Sequence, residues 1–284
     1  MAMTAGHPSE RPEIGQQITA AGIPTNVLRS GAGAPVVLIH GSGPGVSAYA
    51  NWRLSIPPLS QRLDVIAPDM VGFGFTERFS GPDAPAYGID VWVDQVLGLL
   101  DALGLASASV VGNSFGGAIA LSLAAHHPER VDKLVLMGSV GVPFEITEGL
   151  DAVWGYTPSF ENMRAIMDYF AFSRELVNDE LARVRYEGSI KPGFQESYAA
   201  MFPAPRQRWV DAMVTPDALI SALPNETLII HGREDRVIPL ANSYRLLQLI
   251  PRAQLHVFGQ CGHWSQIEYA DTFNRLVGDF LTAE

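Results

Sequence analysis

The run Gly112-Asn113-Ser114-Phe115-Gly116 sets a serine between two glycines, each two positions away. That spacing suits a turn sharp enough to lift a hydroxyl clear of the backbone, with small residues where a side chain would collide. A serine hydroxyl is too weak an acid to attack a carbonyl unaided. It needs a neutral imidazole to take its proton and a carboxylate to hold that imidazole in one tautomer. Of the seven histidines, His263 is the best placed, in Gly262-His263-Trp264 just after the last strand-like run. His126 and His127 precede Pro128 and read as helix-end residues, His231 and His256 belong to strand-like runs and read as structural, His7 falls in the N-terminal tail, and His40 opens a glycine-rich loop. The carboxylate must lie between Ser114 and His263 to give the order Ser, Asp, His that suits a serine on a strand-to-helix turn. Asp235 in His231-Gly232-Arg233-Glu234-Asp235 fits, with Glu234 as its rival.

Attack on a carbonyl also needs two N–H groups aimed at the oxygen that turns negative. Phe115, the residue after the serine, supplies one. The loop His40-Gly41-Ser42-Gly43-Pro44-Gly45 is expected to supply the other at Ser42, whose hydroxyl is a further donor. A phosphate cradle is excluded for this loop, because no lysine follows the glycines at the required spacing. Cys261 reads as a buried, inert thiol, since nothing nearby would depress its pKa.

These residues need a scaffold, and the chain spells one out. Short apolar runs at 36–39, 64–67, 109–111, 133–137, 227–230 and 255–258 each stop at or near Gly, His or Pro, as strands buried on both faces do. Helical patterns at 90–103, 115–126, 239–250 and 268–281 alternate with them, so the expected fold class is α/β: a mostly parallel central sheet flanked by helices. Segments near 17–20 and 26–29 suggest an opening hairpin. Residues 144–213 contain no strand-like run, and 161–170 and 176–187 read as helices. The division expected is therefore a flexible tail at 1–15, a core at 16–143 and 214–284, and an inserted helical lid at 144–213, over the sheet edge where open α/β sheets bind ligands.

Composition narrows the classes. Across 284 residues, 47% are hydrophobic and 17% charged, which suits a large buried core. Thirty acidic against 19 basic residues give a net charge of −11, which argues against a nucleic-acid or anionic-membrane partner. One cysteine forms no internal disulfide, and no Cys/His spacing suits a metal. The N-terminus lacks the apolar segment of a signal peptide, and no apolar stretch reaches the roughly 18 residues of a membrane span, so a cytoplasmic location is expected. Oligomeric state is not written in the chain; a homodimer is the common default.

The elbow at 112–117, the loop at 40–45, the segment His231–Pro239 and Cys261-Gly262-His263-Trp264 together resemble the α/β-hydrolase superfamily. Within it the chain is similar to the meta-cleavage product hydrolases from about Ile14 to the C-terminus. The similarity includes insertion segments 146–168 and 181–209, which carry more specificity than the three catalytic residues. The resemblance implies cofactor-free hydrolysis of a carbon–carbon bond in the breakdown of aromatic compounds, acting on an anionic 2-hydroxy-6-oxohexa-2,4-dienoate. It implies Ser114, Asp235 and His263 as the triad and the amides of Ser42 and Phe115 as the oxyanion donors. It also implies Asn51, Asn113, Arg185 and Trp264 as contacts to the dienoate carboxylate and 2-hydroxy/oxo group. Arginine suits that duty, since its fork pairs with both carboxylate oxygens. Val140, Val142 and Phe144 after the central strand, with Val237 and Ile238 after Asp235, are expected to crowd the C6 end and favour hydrogen or short alkyl over phenyl. A carboxylesterase or lactonase would use the same triad, and a non-catalytic binding protein the same scaffold. The serine at the elbow argues against dehalogenases and epoxide hydrolases, which carry Asp there.

Overall fold

The computed structural model describes residues 11–79, 81 and 85–283. Most of the expected tail, residues 1–10, lies outside the described residues, as do positions 80 and 82–84 of the loop at 79–87. The described end of that tail is held rather than loose. Gly15 N donates to Asn26 Oδ1 at 2.8 Å and Asn26 Nδ2 donates to the Glu13 carbonyl at 3.0 Å. A polar, aperiodic segment gave no sign of this, because its partner is a single buried asparagine on the next strand pair.

Eight strands form one sheet: β1 (Gln16–Ala20), β2 (Ile23–Gly31), β3 (Ala34–Ile39), β4 (Leu63–Pro68), β5 (Ala108–Asn113), β6 (Val131–Met137), β7 (Glu226–Gly232) and β8 (Ala253–Phe258). They lie in the order β1-β2-β4-β3-β5-β6-β7-β8. The β1–β2 hairpin and the β2–β4 pair are antiparallel; the remaining neighbours are parallel. The unbroken apolar runs follow from burial on both faces. Val37, Ile39, Val110, Leu134, Leu136 and Ile229 enter one core, while Val36, Leu38, Val111, Val135, Leu228 and Ile230 enter the other. Successive residues along a strand point to opposite faces, so both sets must be apolar.

The first core is covered by helices Ile89–Ala102 and Phe115–His126, the second by Ala48–Trp52 and Ala270–Thr282. Helix Phe115–His126 is buried over its first ten residues, which explains why it is apolar all round. Between β6 and β7 the chain forms helices Glu148–Trp154, Phe160–Phe170, Asp179–Ser189, Phe194–Met201 and Gln207–Ala212 and, among the described residues there, no strand. The third begins three residues later than its apolar pattern suggests, because the Asn178 side chain accepts the Leu181 N–H and caps it there. No helix among the described residues is long and apolar enough to cross a membrane.

Candidate active site

Ser114 sits between β5 and helix Phe115–His126 with φ 58° and ψ −115°, a conformation side-chain-bearing residues seldom adopt. The turn is locked by the Ser114 N–H on the Met137 carbonyl at 2.8 Å and by the Val140 N–H on the Ser114 carbonyl at 3.2 Å. Its tightness demands the flanking glycines. A Cβ on Gly112 would lie 2.3 Å from the Gly116 carbonyl oxygen, and one on Gly116 2.4 Å from that of Ile39. Strain of about 1–3 kcal/mol at such a residue persists only because its surroundings over-determine it.

Asp235 lies on the loop after β7 and His263 on the loop after β8, both buried. His263 Nδ1 and Asp235 Oδ2 are 2.7 Å apart, and Asp235 Oδ1 accepts the N–H groups of Val237 and Ile238 at 2.8 and 2.9 Å. Since the carboxylate is acceptor-only, Nδ1 carries the proton and Nε2 is left as the base. Burial alone would raise the Asp235 pKa; the two imidazoles of His263 and His231 outweigh it and hold the carboxyl well below the usual range. His231, which reads as structural in the sequence, thus touches the same carboxylate: its Nε2 is 3.2 Å from Asp235 Oδ2 and 3.0 Å from the Ile238 carbonyl, while Nδ1 faces Ser243 Oγ at 2.6 Å. Glu234 is excluded as a rival. It accepts the Cys261 N–H and pairs with Arg233.

Ser114 and His263 line one cavity, and the other lining residues include Gly41, Ser42, Gly43, Val46, Asn51 and Asn113. Among the described residues no hydrogen bond joins Ser114 Oγ to the imidazole, as is common before substrate tightens such contacts. Phe115 opens its helix, so its N–H has no partner within the helix. The Ser42 N–H likewise meets no acceptor among the described residues. The Trp154 indole N–H donates to Ser42 Oγ at 2.9 Å, which leaves the serine's own proton free to donate.

Asn51 Oδ1 accepts Asn113 Nδ2 at 2.9 Å and the Gly41 N–H at 3.3 Å. This leaves Asn51 Nδ2 and Asn113 Oδ1 buried without partners among the described residues, one donor and one acceptor in the cavity wall. Arg185 reaches the same wall from helix Asp179–Ser189. Its guanidinium lies 4.7 Å above the Trp264 ring, and no carboxylate among the described residues pairs with it. Burial and then the neighbouring Arg53 lower its pKa to about 10, so it stays a cation at neutral pH.

Val237 lines the cavity as expected, but Val140 and Ile238 do not. Both are fully buried, and their backbone amides serve the frame: Val140 donates to Ser114 and Ile238 to Asp235. Val142 is buried away from this wall too, and Phe144 is absent from it. Beside Val46, Val237 and Trp264, the apolar positions come from the insertion, at Leu150, Val153 and Phe170. Sequence periodicity had no means of naming them, because tertiary packing decides which face of each helix turns inward.

A second unforeseen residue is Glu268. Its carboxylate accepts the N–H of Gly262 at 2.7 Å and those of Phe172 and Ser173 at 2.9 Å each. The Phe170 carbonyl accepts the N–H groups of His263 and Trp264 at 2.7 and 3.2 Å. The imidazole-bearing loop is therefore bonded directly to the end of insertion helix Phe160–Phe170. Cys261 is buried with its pKa pushed up to about 12, first by burial, as an unreactive thiol would be.

A nucleophile turn on a parallel sheet, with base and carboxylate on the following strand-end loops, is the plan of an α/β-type serine hydrolase, and a family model for the alpha/beta hydrolase fold matches residues 34–270. The 2-hydroxymuconate semialdehyde hydrolase of Pseudomonas sp. (strain CF600) is 65% identical over 274 residues, 96% of each chain. The 2-hydroxy-6-oxo-2,4-heptadienoate hydrolase of Pseudomonas putida F1 is 61% identical, over 96% of this chain and 98% of that one. The solved meta-cleavage product hydrolase of Pseudomonas fluorescens IP01, a serine-to-alanine variant complexed with acetates, superposes with a TM-score of 0.93 at 62% identity, covering 95% of this chain and 98% of that one. This chain belongs to the α/β-hydrolase family and, within it, to the meta-cleavage product hydrolases.

Proposed function

We propose that the protein hydrolyses the C5–C6 bond of 2-hydroxy-6-oxohexa-2,4-dienoates bearing hydrogen or a short alkyl group at C6, giving 2-hydroxypenta-2,4-dienoate and a carboxylic acid. The observation that carries this reading is the cavity wall: a cation with no carboxylate partner and two buried amide atoms with no hydrogen-bond partner among the described residues, beside Ser114 and His263, with apolar side chains at Val46, Leu150, Val153, Phe170 and Val237. Arg185 holds the substrate carboxylate, and Asn51 and Asn113 address the 2-hydroxy/oxo group, with Trp264 as the platform under the guanidinium. The helical insertion at 144–213 acts as the lid on the core formed by 16–143 and 214–284.

A carbon–carbon bond breaks heterolytically only if the electron pair left behind is delocalised. The dienol is therefore first converted to its 2-oxo form, a proton going to C5. His263 takes the Ser114 proton as Oγ attacks C6, or as the serine positions a water that attacks; the amides of Ser42 and Phe115 hold the oxygen that becomes negative. As the C5–C6 bond breaks, its electrons pass through C4 and C3 into the 2-oxo oxygen. One water is consumed by either route, and no cofactor takes part.

Leu150, Val153 and Val237 are branched and buried, which favours a small C6 substituent. Comparing kcat/KM for the 6-hydrogen, 6-methyl and 6-phenyl dienoates tests this. The first two are expected to exceed the third by about tenfold or more, the discrimination a crowded apolar pocket supplies. Faster turnover of the phenyl compound would reject the assignment, and turnover of p-nitrophenyl acetate without any dienoate cleavage would point to an esterase instead.

A further inference from the structure

Arg185 lines two cavities. One holds Ser114 and His263; the other is larger and lies between the segment around Ala48–Trp52 and the insertion helices Asp179–Ser189 and Phe194–Met201. The charged residues lining the outer cavity are Arg53, Arg185, Lys191 and Glu13. Glu13 is the one carboxylate among them, and it lies 3.7 Å from Lys191 Nζ. Arg53 donates Nη1 to the Ala50 carbonyl at 3.0 Å, and no carboxylate among the described residues pairs with it or with Arg185. Elsewhere Arg29, Arg62, Arg130 and Arg245 have acidic partners, whereas Arg78, Arg183, Arg208, Arg236 and Arg275 have none among the described residues but line neither of these two cavities. In a chain with an excess of acidic residues, two neighbouring arginines sharing a cavity without a counterion are an unsatisfied arrangement. The mouth is open: Val184 on this wall is 61% exposed.

We propose that the outer cavity is an anion vestibule, in which Arg53, aided by Lys191, captures the carboxylate of the incoming dienoate and delivers it to Arg185, and through which the carboxylate products leave. This inference rests on the reading of the substrate as an anionic dienoate. The vestibule overcomes a specific difficulty, since a net charge of −11 repels an anion until a local positive field draws it in. Charges on such a path act on capture and on its salt dependence more than on the chemical step.

The test is steady-state hydrolysis of the 6-methyl dienoate by wild type, Arg53→Gln, Arg53→Glu and Arg53→Lys, at low and high ionic strength. Arg245→Gln serves as a control that changes net charge away from the cavity, and melting temperatures check that each variant folds. The expected result is a drop in low-salt kcat/KM of about fivefold for Arg53→Gln and tenfold or more for Arg53→Glu, carried by KM, with most of the salt dependence lost. Arg53→Lys and Arg245→Gln should follow wild type. A folded Arg53→Glu variant with wild-type kcat/KM and salt slope would overturn the vestibule while leaving the dienoate reading intact. Failure of the wild-type protein to cleave any dienoate would refute the substrate reading, and the vestibule with it.

Discussion

At the scale of single residues, the frame of the site depends on protonation states set by burial. His40 is fully buried at the end of β3, with Nδ1 2.7 Å from the Gly41 carbonyl and Nε2 accepting the Met70 N–H at 2.9 Å. Those partners define a neutral imidazole with the proton on Nδ1, and burial pushes its pKa down to about 4 from 6.5. Because the folded pKa lies below the unfolded one, the linked stability is fully present above pH 6.5 and is lost as pH falls toward 4. Asp69, also buried, is shifted the opposite way, up to about 6, chiefly by burial, so total stability mixes two contributions of opposite sign. Comparison with His40→Gln isolates one of them. The stability advantage of wild type over this variant, from chemical denaturation, should shrink by about 3 kcal/mol between pH 7 and pH 4. Parallel pH curves for the two proteins would contradict the assignment.

At the scale of elements, the loop bearing His263 and the insertion form one mechanical unit through Glu268 and the Phe170 carbonyl. A glutamine at 268 keeps one acceptor oxygen but, in either orientation, turns its amide NH2 toward at least one N–H that now donates to a carboxylate oxygen, so Glu268→Gln should loosen the loop without emptying its volume. We expect kcat to fall about tenfold, since a misplacement of about 1 Å can cost up to a hundredfold, with faster hydrogen exchange confined to 170–173 and 262–264. Wild-type exchange there with reduced kcat would show that Glu268 acts by another route. The same elements show what was legible beforehand. The central strands are legible because burial on both faces leaves nearly unbroken apolar runs, and the elbow is legible because only glycine fits at 112 and 116. Ser114, Asp235 and His263 were each placed by a strand end. The inward faces of the insertion are not legible, so the sequence does not single out Leu150, Val153 and Phe170 and points to Val140 and Ile238, which lie off the wall. Glu268 looked like any acid near a helix, since the three amides it accepts are brought to it only by folding.

At the scale of the whole molecule, a strongly acidic chain places Arg53 and Arg185, neither paired with a carboxylate among the described residues, on the wall of the outer cavity, with Arg185 also on the wall of the cavity of Ser114. The insertion supplies Arg185, Leu150, Val153 and Phe170, while the loops at the strand ends carry Ser114, Asp235 and His263. Neither part holds a complete site alone. If these side chains converge on hydrolysis of a carbon–carbon bond, Ser114 is its chemical centre. The most direct measurement mixes Ser114→Ala with 2-hydroxymuconate semialdehyde and follows both dienolate absorbance and product formation. The variant should bind the dienoate with an affinity close to that of wild type yet release 2-hydroxypenta-2,4-dienoate at least about 10⁴-fold more slowly. Release of that product by Ser114→Ala at the wild-type rate would contradict this role for Ser114.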